Sequence, residues 1–275
     1  MSRWTKSILL GVLTIAWFAA AFVYVKSMRI IGYQHVPDVR QLIAVTDADS
    51  LAEGERLARV YGCFDACHNE RMEGQVLYEN ALNGRLVAPN LTRSVREYTL
   101  PELEAIIRQG IRPDGTSVFI MPAASLAAMT DSDLSAILAF IRNSPEEIKR
   151  QPEQDYGLLT RFRMVTGDLP AQANLGFQQP WRDTFRGNEA RVGEYIATVA
   201  CTQCHGLDFE GDGERVPSLR AMNDYDRFEF VGLMREGVGP GERPVEGKQE
   251  LASTRYAYLT DEEIDALFLF LKTRP

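Results

Sequence analysis

Two short runs in this 275-residue chain place a pair of cysteines directly before a histidine: Cys63-Phe64-Asp65-Ala66-Cys67-His68 and Cys201-Thr202-Gln203-Cys204-His205. They account for all four cysteines and for two of the three histidines. The second run has the spacing C-x-x-C-H. Two thiols on one helical turn can each form a thioether with a vinyl group of one haem, while the adjacent imidazole points at the iron. A zinc site needs four ligands and each run offers three. A thioredoxin-type pair needs a strand–helix setting that is missing here. Cys201, Cys204 and His205 therefore read as a covalent haem site. In the first run three residues separate the cysteines, yet positions i and i+4 still share a helix face. Both thiols could reach one macrocycle with local distortion; a single thioether or a structural cysteine pair are the alternatives. The agreement of the flanking sequence with the second run favours haem here too, giving two covalently bound haem c groups.

That agreement extends over an internal repeat, from about Leu51 to Asn143 and from about Asn188 to Thr273. Each copy opens with a Gly-containing amphipathic segment, at Gly54 and at Gly193. Beyond the histidines, Met72-Glu73-Gly74 corresponds to Phe209-Glu210-Gly211, and Ala88-Pro89-Asn90-Leu91 to Val216-Pro217-Ser218-Leu219. A second helix follows, with Thr99 and Glu102, or Asp226 and Glu229, spaced as capping boxes. It stops at Gly110 or Gly237, where a left-handed cap is cheap. The third helix is capped by Thr130 or Thr260. Its apolar stripe is Leu134, Ile137, Leu138, Ile141 in one copy and Ile264, Leu267, Phe268, Leu271 in the other, one helical face each. No segment alternates with period two for long, so the fold class expected is all-α. The linker, Ser144 to Gly187, holds Pro145, Pro152, Pro170 and Pro180; at this length it is expected to pack on its neighbours.

Both copies resemble class I cytochrome c domains of the dihaem kind found as electron-transfer subunits of bacterial membrane dehydrogenases and oxidases. The resemblance covers roughly 180 of the 275 residues and rests on the haem motifs, the Pro loops, the Gly-stopped helices and the Thr-capped final helices. It implies that the carbonyls of Pro89 and Pro217 accept a hydrogen bond from the proximal histidines, tuning the metal ligand from behind. It also implies a crossing of first and last helices at Gly54 with Phe140 and at Gly193 with Phe270. The family closes its iron with a methionine just before the final helix. Met121-Pro122, nine residues before Thr130, matches that position, with Met129 a nearby rival. His68, His205 and Met121 are thus the implied iron ligands. Nine residues before Thr260 stands Leu251, which cannot ligate. Lys248, Met234 and His35 are candidates for the second iron, alongside an open or water-bound site; Met222 belongs on the proximal side.

The compartment follows from the amino terminus. Ile8 to Val25 carries no charge over 18 residues, a helix of about 27 Å, close to the hydrocarbon thickness of a bilayer. A signal peptide cleaved near Ala19-Ala20-Ala21 is one alternative; continuation of the apolar run through Phe22, Val23 and Val25 favours an uncleaved single span. The expected layout is an anchor over 1–35, cytochrome c domains over 36–145 and 187–275, and a linker over 146–186. Haem attachment of this kind belongs to the oxidising side, so both domains are expected on the periplasmic face of a bacterial inner membrane. Composition adds an exclusion: 30 Lys+Arg against 38 Asp+Glu gives a net charge of −8, ill suited to nucleic acid. No Gly-rich nucleotide loop, paired His–carboxylate motif or serine elbow is visible. The expected function is electron transfer rather than enzymatic turnover. The expected partners are a dehydrogenase or quinol-oxidising subunit on one side and a cytochrome or copper-protein acceptor on the other. A dihaem peroxidase-like activity or a haem-based sensor, using an open second iron, are the alternatives.

Overall fold

A computed structural model describes residues 3–38, 41–64, 67–176 and 191–273. Residues 65 and 66 of the first motif, and the 186/187 boundary with the start of the second copy, lie outside the described residues. The apolar amino-terminal segment forms one helix, α1 (Arg3–Ile31), long and apolar enough to cross a membrane. In the first half, α2 (Ala48–Val60) starts where the Asp47 carboxylate accepts the Ser50 N–H at 2.8 Å. After the first motif come strands β1 (Gln75–Asn80) and β2 (Gly84–Ala88), then α3 (Leu91–Glu97) and α4 (Leu100–Glu104). A π-helical turn at Ala105–Gln109 carries α4 on to Gly110, and α5 (Ala123–Leu126) and α6 (Asp131–Asn143) complete the half. The connection contributes β3 (Asp155–Tyr156), α7 (Leu158–Thr166) and α8 (Gln172–Gly176). In the second half, α9 (Val192–Ile196) runs through another π-helical turn, Ala197–Cys201, into α10 (Thr202–His205). Then follow a 3-10 turn at Leu219–Asp224, α11 (Arg227–Glu236), the short strands β4 (Val238–Gly239) and β5 (Arg243–Pro244), α12 (Lys248–Thr254) and α13 (Asp261–Thr273).

The chain is mostly helical, but the all-α expectation needs correction. β1 and β2 pair antiparallel from Gln75↔Ala88 to Asn80↔Gly84, and the connection adds β3 through Gly84↔Tyr156 and Arg85↔Asp155. Val76 and Tyr78 facing Val87 and Leu86 supply the residue types that favour strands. Asn83-Gly84, with Gly84 at φ 75°, is the turn signal between them. Six residues are too few for alternation alone to stand out.

The capping expectations are met residue by residue. Capping boxes close at Thr99/Glu102 and Asp226/Glu229. Gly110 and Gly237 take left-handed conformations at φ 68° and 69°. Thr130 accepts the Asp133 N–H at 3.1 Å and Thr260 the Glu263 N–H at 3.2 Å. The described part of the connection packs rather than dangles: β3 extends the sheet, and α7 lies against α1.

First and last helices cross in the same way in each half. A Cβ on Gly54 would sit 2.1 Å from the Ala136 carbonyl oxygen, and one on Gly193 2.0 Å from that of Ala266. The close contact is with helix backbone one turn before Phe140 and Phe270; those rings pair instead with Phe64 and Phe209, both at 6.1 Å between centroids. Backbone cannot swing aside as a side chain can. Gly54→Ala and Gly193→Ala should therefore each cost about 1–3 kcal/mol of stability through overpacking, measured by reversible denaturant unfolding against the parent.

Both halves share one buried apolar cluster, which includes Leu57, Leu134 and Ile137 with Ile196, Ile264 and Leu267. Polar ties cross between them. The Tyr195 hydroxyl donates to Asp133 Oδ2 at 2.5 Å and accepts the Thr130 N–H at 3.2 Å. Gln203 Nε2 donates to the Tyr61 carbonyl at 3.0 Å. The Arg56 guanidinium bonds Glu263 at 2.7 Å and the Tyr258 carbonyl at 2.9 Å. The Arg255 guanidinium lies over Gly62 (φ 79°) so closely that a Cβ there would fall 1.4 Å from Nη2.

Candidate functional site

Each motif histidine is buried, and each is held by one hydrogen bond. His68 Nδ1 donates to the Pro89 carbonyl at 2.8 Å, and His205 Nδ1 donates to the Pro217 carbonyl at 2.8 Å. A carbonyl oxygen only accepts, so the proton sits on Nδ1 and Nε2 keeps its lone pair, the form in which imidazole ligates a metal. Burial holds both imidazoles below their usual pKa, opposed in each by the proline carbonyl. A neutral ring is thus favoured at both positions.

The backbone around the two rings is duplicated. Met72 N–H bonds Asn69 O at 3.0 Å, as Phe209 N–H bonds Gly206 O at 3.0 Å. Gly74 N–H returns to His68 O at 3.0 Å, and Gly211 N–H to His205 O at 2.8 Å. Leu91 N–H reaches Met72 O at 2.8 Å, and Leu219 N–H reaches Phe209 O at 2.9 Å. Met72 and Phe209 both take positive φ, 55° and 63°, which is uncommon for side chains of their kind. A Cβ on Gly74 would fall 2.6 Å from Pro89 O, and one on Gly211 2.7 Å from Pro217 O. Glycine at these positions lets the segment after each histidine lie against the proline loop, which brings carbonyl and ring together. The sequence aligns these residues, but nothing in Met72 or Phe209 announces a left-handed backbone.

The four thiols lie around the contact between the halves. Cys63, Cys67 and Cys201 are half-buried and Cys204 is exposed. Burial pushes the Cys63 and Cys201 thiols up to about 11. Burial also raises Cys67, opposed by the Arg255 guanidinium and reinforced by the nearby Cys204 thiol. Protonated thiols of this kind are poor redox nucleophiles, which argues against a thioredoxin-type role. Arg255 acts on Cys63, Cys67 and Cys201 alike, so one cation serves both motifs. Nothing in the sequence marks Arg255, Gln203 or Tyr61 for this place; the repeat hides them because each bridges copies instead of recurring in both. Among the described residues no group of three or more His, Cys, Asp or Glu is arranged to hold a metal ion. The donor sets present are one imidazole and two thiols on each side, which fit a porphyrin's iron and vinyl groups rather than a bare ion.

Of the sixth-ligand candidates, Met121 is half-buried at the edge of the main core, just before α5. Its rival Met129 is enclosed in that core, with its carbonyl accepting from Arg108 at 2.6 Å. In the second half Leu251 is half-buried on α12, against the core. Met234 on α11 and Met222 in the turn after Pro217 are both core residues. The Lys248 ammonium lies 5.7 Å from the centre of the Tyr256 ring; its charge opposes the burial that raises Cys201, and at His205 it adds to the burial that lowers that ring, which the Pro217 carbonyl opposes. His35 belongs to the first half: its N–H donates to Gly115 O at 2.8 Å and its ring meets Tyr33 edge-on at 4.8 Å.

Residues 190–275 match the family model of cytochrome c. This stretch is a cytochrome c domain. Such a domain implies covalently bound haem c. Over a longer range the chain is similar to the cytochrome c subunit of a quinone alcohol dehydrogenase from Gluconacetobacter polyoxogenes, 23% identical over 279 residues, 85% of this chain and 58% of that protein. The corresponding subunit of Gluconobacter oxydans (strain 621H) is 23% identical over 278 residues, 83% of this chain and 56% of that protein. A fructose dehydrogenase cytochrome subunit of Gluconobacter japonicus is 22% identical over 260 residues, 82% of this chain and 53% of that protein. The chain spans little more than half the length of these relatives.

Around the domain's proline loop, Asp212 Oδ1 accepts the N–H groups of Glu214, Arg215 and Val216 at 3.0, 2.8 and 2.8 Å. These bonds pull its carboxyl from 3.8 down to about 2. The tie is at full strength above the unfolded value of 3.8 and is lost as pH falls through about 2. Hydrogen exchange of the 212–217 segment, corrected for intrinsic pH dependence, should rise across that window in the parent. In Asp212→Ala it should be raised already at neutral pH.

Proposed function

We propose that the chain is a dihaem c-type cytochrome, anchored through α1 in a bacterial inner membrane with both haem domains on the periplasmic side. It carries single electrons from a membrane dehydrogenase or quinol-oxidising partner to a cytochrome or copper-protein acceptor. The observation that carries this reading is the duplicated histidine–proline site, with cysteines of both motifs under the influence of Arg255. The dehydrogenase partner is supported by the relatives, which are cytochrome subunits of dehydrogenases. The domains are taken as 36–145 and 187–275, joined by 146–186.

In this reading Cys63 and Cys67, and Cys201 and Cys204, hold one haem c each, and His68 and His205 ligate the irons through Nε2. Bound haem supplies a one-electron iron couple. The chain's own residues do the rest. Pro89 and Pro217 fix the imidazoles in tautomer and direction. The apolar core behind them keeps water away. Arg255, beside both motifs, favours the state with the added electron at either site through its positive charge. Haems held at Cys67 and Cys204, thiols close enough to influence one another, would lie near each other, and a one-electron couple at each would let electrons pass between them. Met121 would supply the thioether to the first haem: it is half-buried at the edge of the core and keeps an open side, whereas Met129 is enclosed. The second half has no methionine in register, and the Lys248 ammonium lies near enough to influence its Cys201 and His205.

Two measurements test this. Intact mass should exceed the polypeptide by two haems, and acid–acetone extraction should leave both attached; release of half the haem would refute attachment at Cys63 and Cys67. In potentiometric titration the two haems should differ, the Met121 haem being higher, because thioether sulfur favours ferrous iron. Carbon monoxide should perturb one haem of the parent and both of Met121→Ala, whose higher potential should also fall. Leu251→Ala should change the spectrum little.

A further inference from the structure

The face that α1 turns to the rest of the molecule begins inside its apolar run. Ala20, Ala21, Val23, Ser27, Ile30 and Ile31 are partly or fully covered, while residues 3–19 are exposed throughout. The uncharged run ends at Val25. The covered stripe therefore starts five residues, about 7–8 Å, before that end. If α1 spans a bilayer, what covers Ala20 and Val23 lies at the depth of the headgroups and outer acyl chains.

The element packed along α1 is α7. Its Arg161 donates to Ser27 Oγ at 3.0 Å, and the guanidinium lies 4.5 Å from the centre of the Tyr24 ring. Three residues on, Met164 packs in a small core with Phe119 and Ala171, against which Ile30 and Ile31 are laid. The two helices thus run in the same direction, and the start of α7 points back along the apolar part of α1. That start carries Leu158 and Leu159, 48% and 41% exposed, followed by Phe162 at 48%. Leu82, 64% exposed, adjoins them: its carbonyl accepts the Leu159 N–H at 2.9 Å. α7 holds two arginines and no acid, the composition of a short helix at a lipid surface. Four exposed large apolar side chains in one place are unusual on a water-facing body.

We propose that Leu82, Leu158, Leu159 and Phe162 enter the interface of the bilayer that α1 crosses, so that α7 is a second membrane contact. With one helix alone the haem-bearing body could swing about its stalk. With two contacts joined through Arg161, it has a fixed face toward the lipid. The proposal rests on the reading of α1 as a span, and its test separates the two.

The full-length protein, without any partner, is placed in phosphatidylcholine nanodiscs. An environment-sensitive fluorophore is attached to Phe18→Cys, Phe162→Cys, Leu82→Cys or Leu269→Cys, the last an exposed position on α13. The unsubstituted protein gives the background. Brominated lipids should quench the labels at 18, 162 and 82, with blue-shifted emission at each, and leave the label at 269 unaffected. Quenching at 18 with water-like, unquenched emission at both 162 and 82 overturns the proposal and leaves the span standing. So does emission at 162 and 82 that turns apolar only when a partner protein is added, which would make the patch a protein-docking surface. No quenching at 18 overturns the span and the proposal with it.

Discussion

The hydrogen bond from a buried imidazole Nδ1 to a proline carbonyl is the constraint on which both candidate haem sites depend. It can form only if the segment after the histidine folds back on the proline loop to within contact distance. Gly74 and Gly211 make that approach possible, since an added Cβ would collide with the proline carbonyl. Met72 and Phe209 pay with positive φ, a strain of order 1–3 kcal/mol that surrounding contacts must hold in place. Proline is suited to the other side of the bond: it has no N–H of its own to satisfy, and its fixed φ steadies the loop.

The same bond sets what each ring can offer. With Nδ1 committed to the proline carbonyl, Nε2 keeps the lone pair a metal would take. Each half then supports its histidine from a different source. In the second half Asp212 gathers three N–H groups of its own loop. In the first half the connection does this work: Gln151 donates to the Glu73 and Gly74 carbonyls at 2.8 Å, and Asn90 donates to Glu147 O and Lys149 O at 2.8 and 3.0 Å. The hairpin and β3 belong to the same arrangement, which explains why the first copy is longer between its histidine and its proline.

Contact between the halves is more than adjacency. Gly62 is open enough for the Arg255 guanidinium to rest on it, and Gln203, inside the second motif, bonds the Tyr61 carbonyl just before the first. Tyr195 ties the start of the second half to the cap of α6 through Asp133 and Thr130. The motifs are thus held together by groups that have no counterpart in the other copy.

The sequence by itself determined the motif residues, the helix caps and the repeat. Each is written in local spacing: C-x-x-C-H on one turn, Thr or Asp three residues before an acid, Gly at a helix end, and apolar residues on one helical face. It also aligned Pro89 with Pro217 and Met121 with Leu251, because the copies can be compared position by position. It missed the hairpin, whose strands of six and five residues are stabilised by pairing with a segment some seventy residues later, a gain that no local pattern records. Only the tertiary structure decided that Met72 and Phe209 adopt a left-handed backbone, that His35 belongs to the first half, and that Arg255 stands between the motifs. Left-handed φ at a non-glycine residue is imposed by contacts on both sides of it, and the reach of the Arg255 guanidinium to Gly62 depends on how the two halves of the chain pack. Neither is a property of neighbouring residues in the chain, so neither can be read along it.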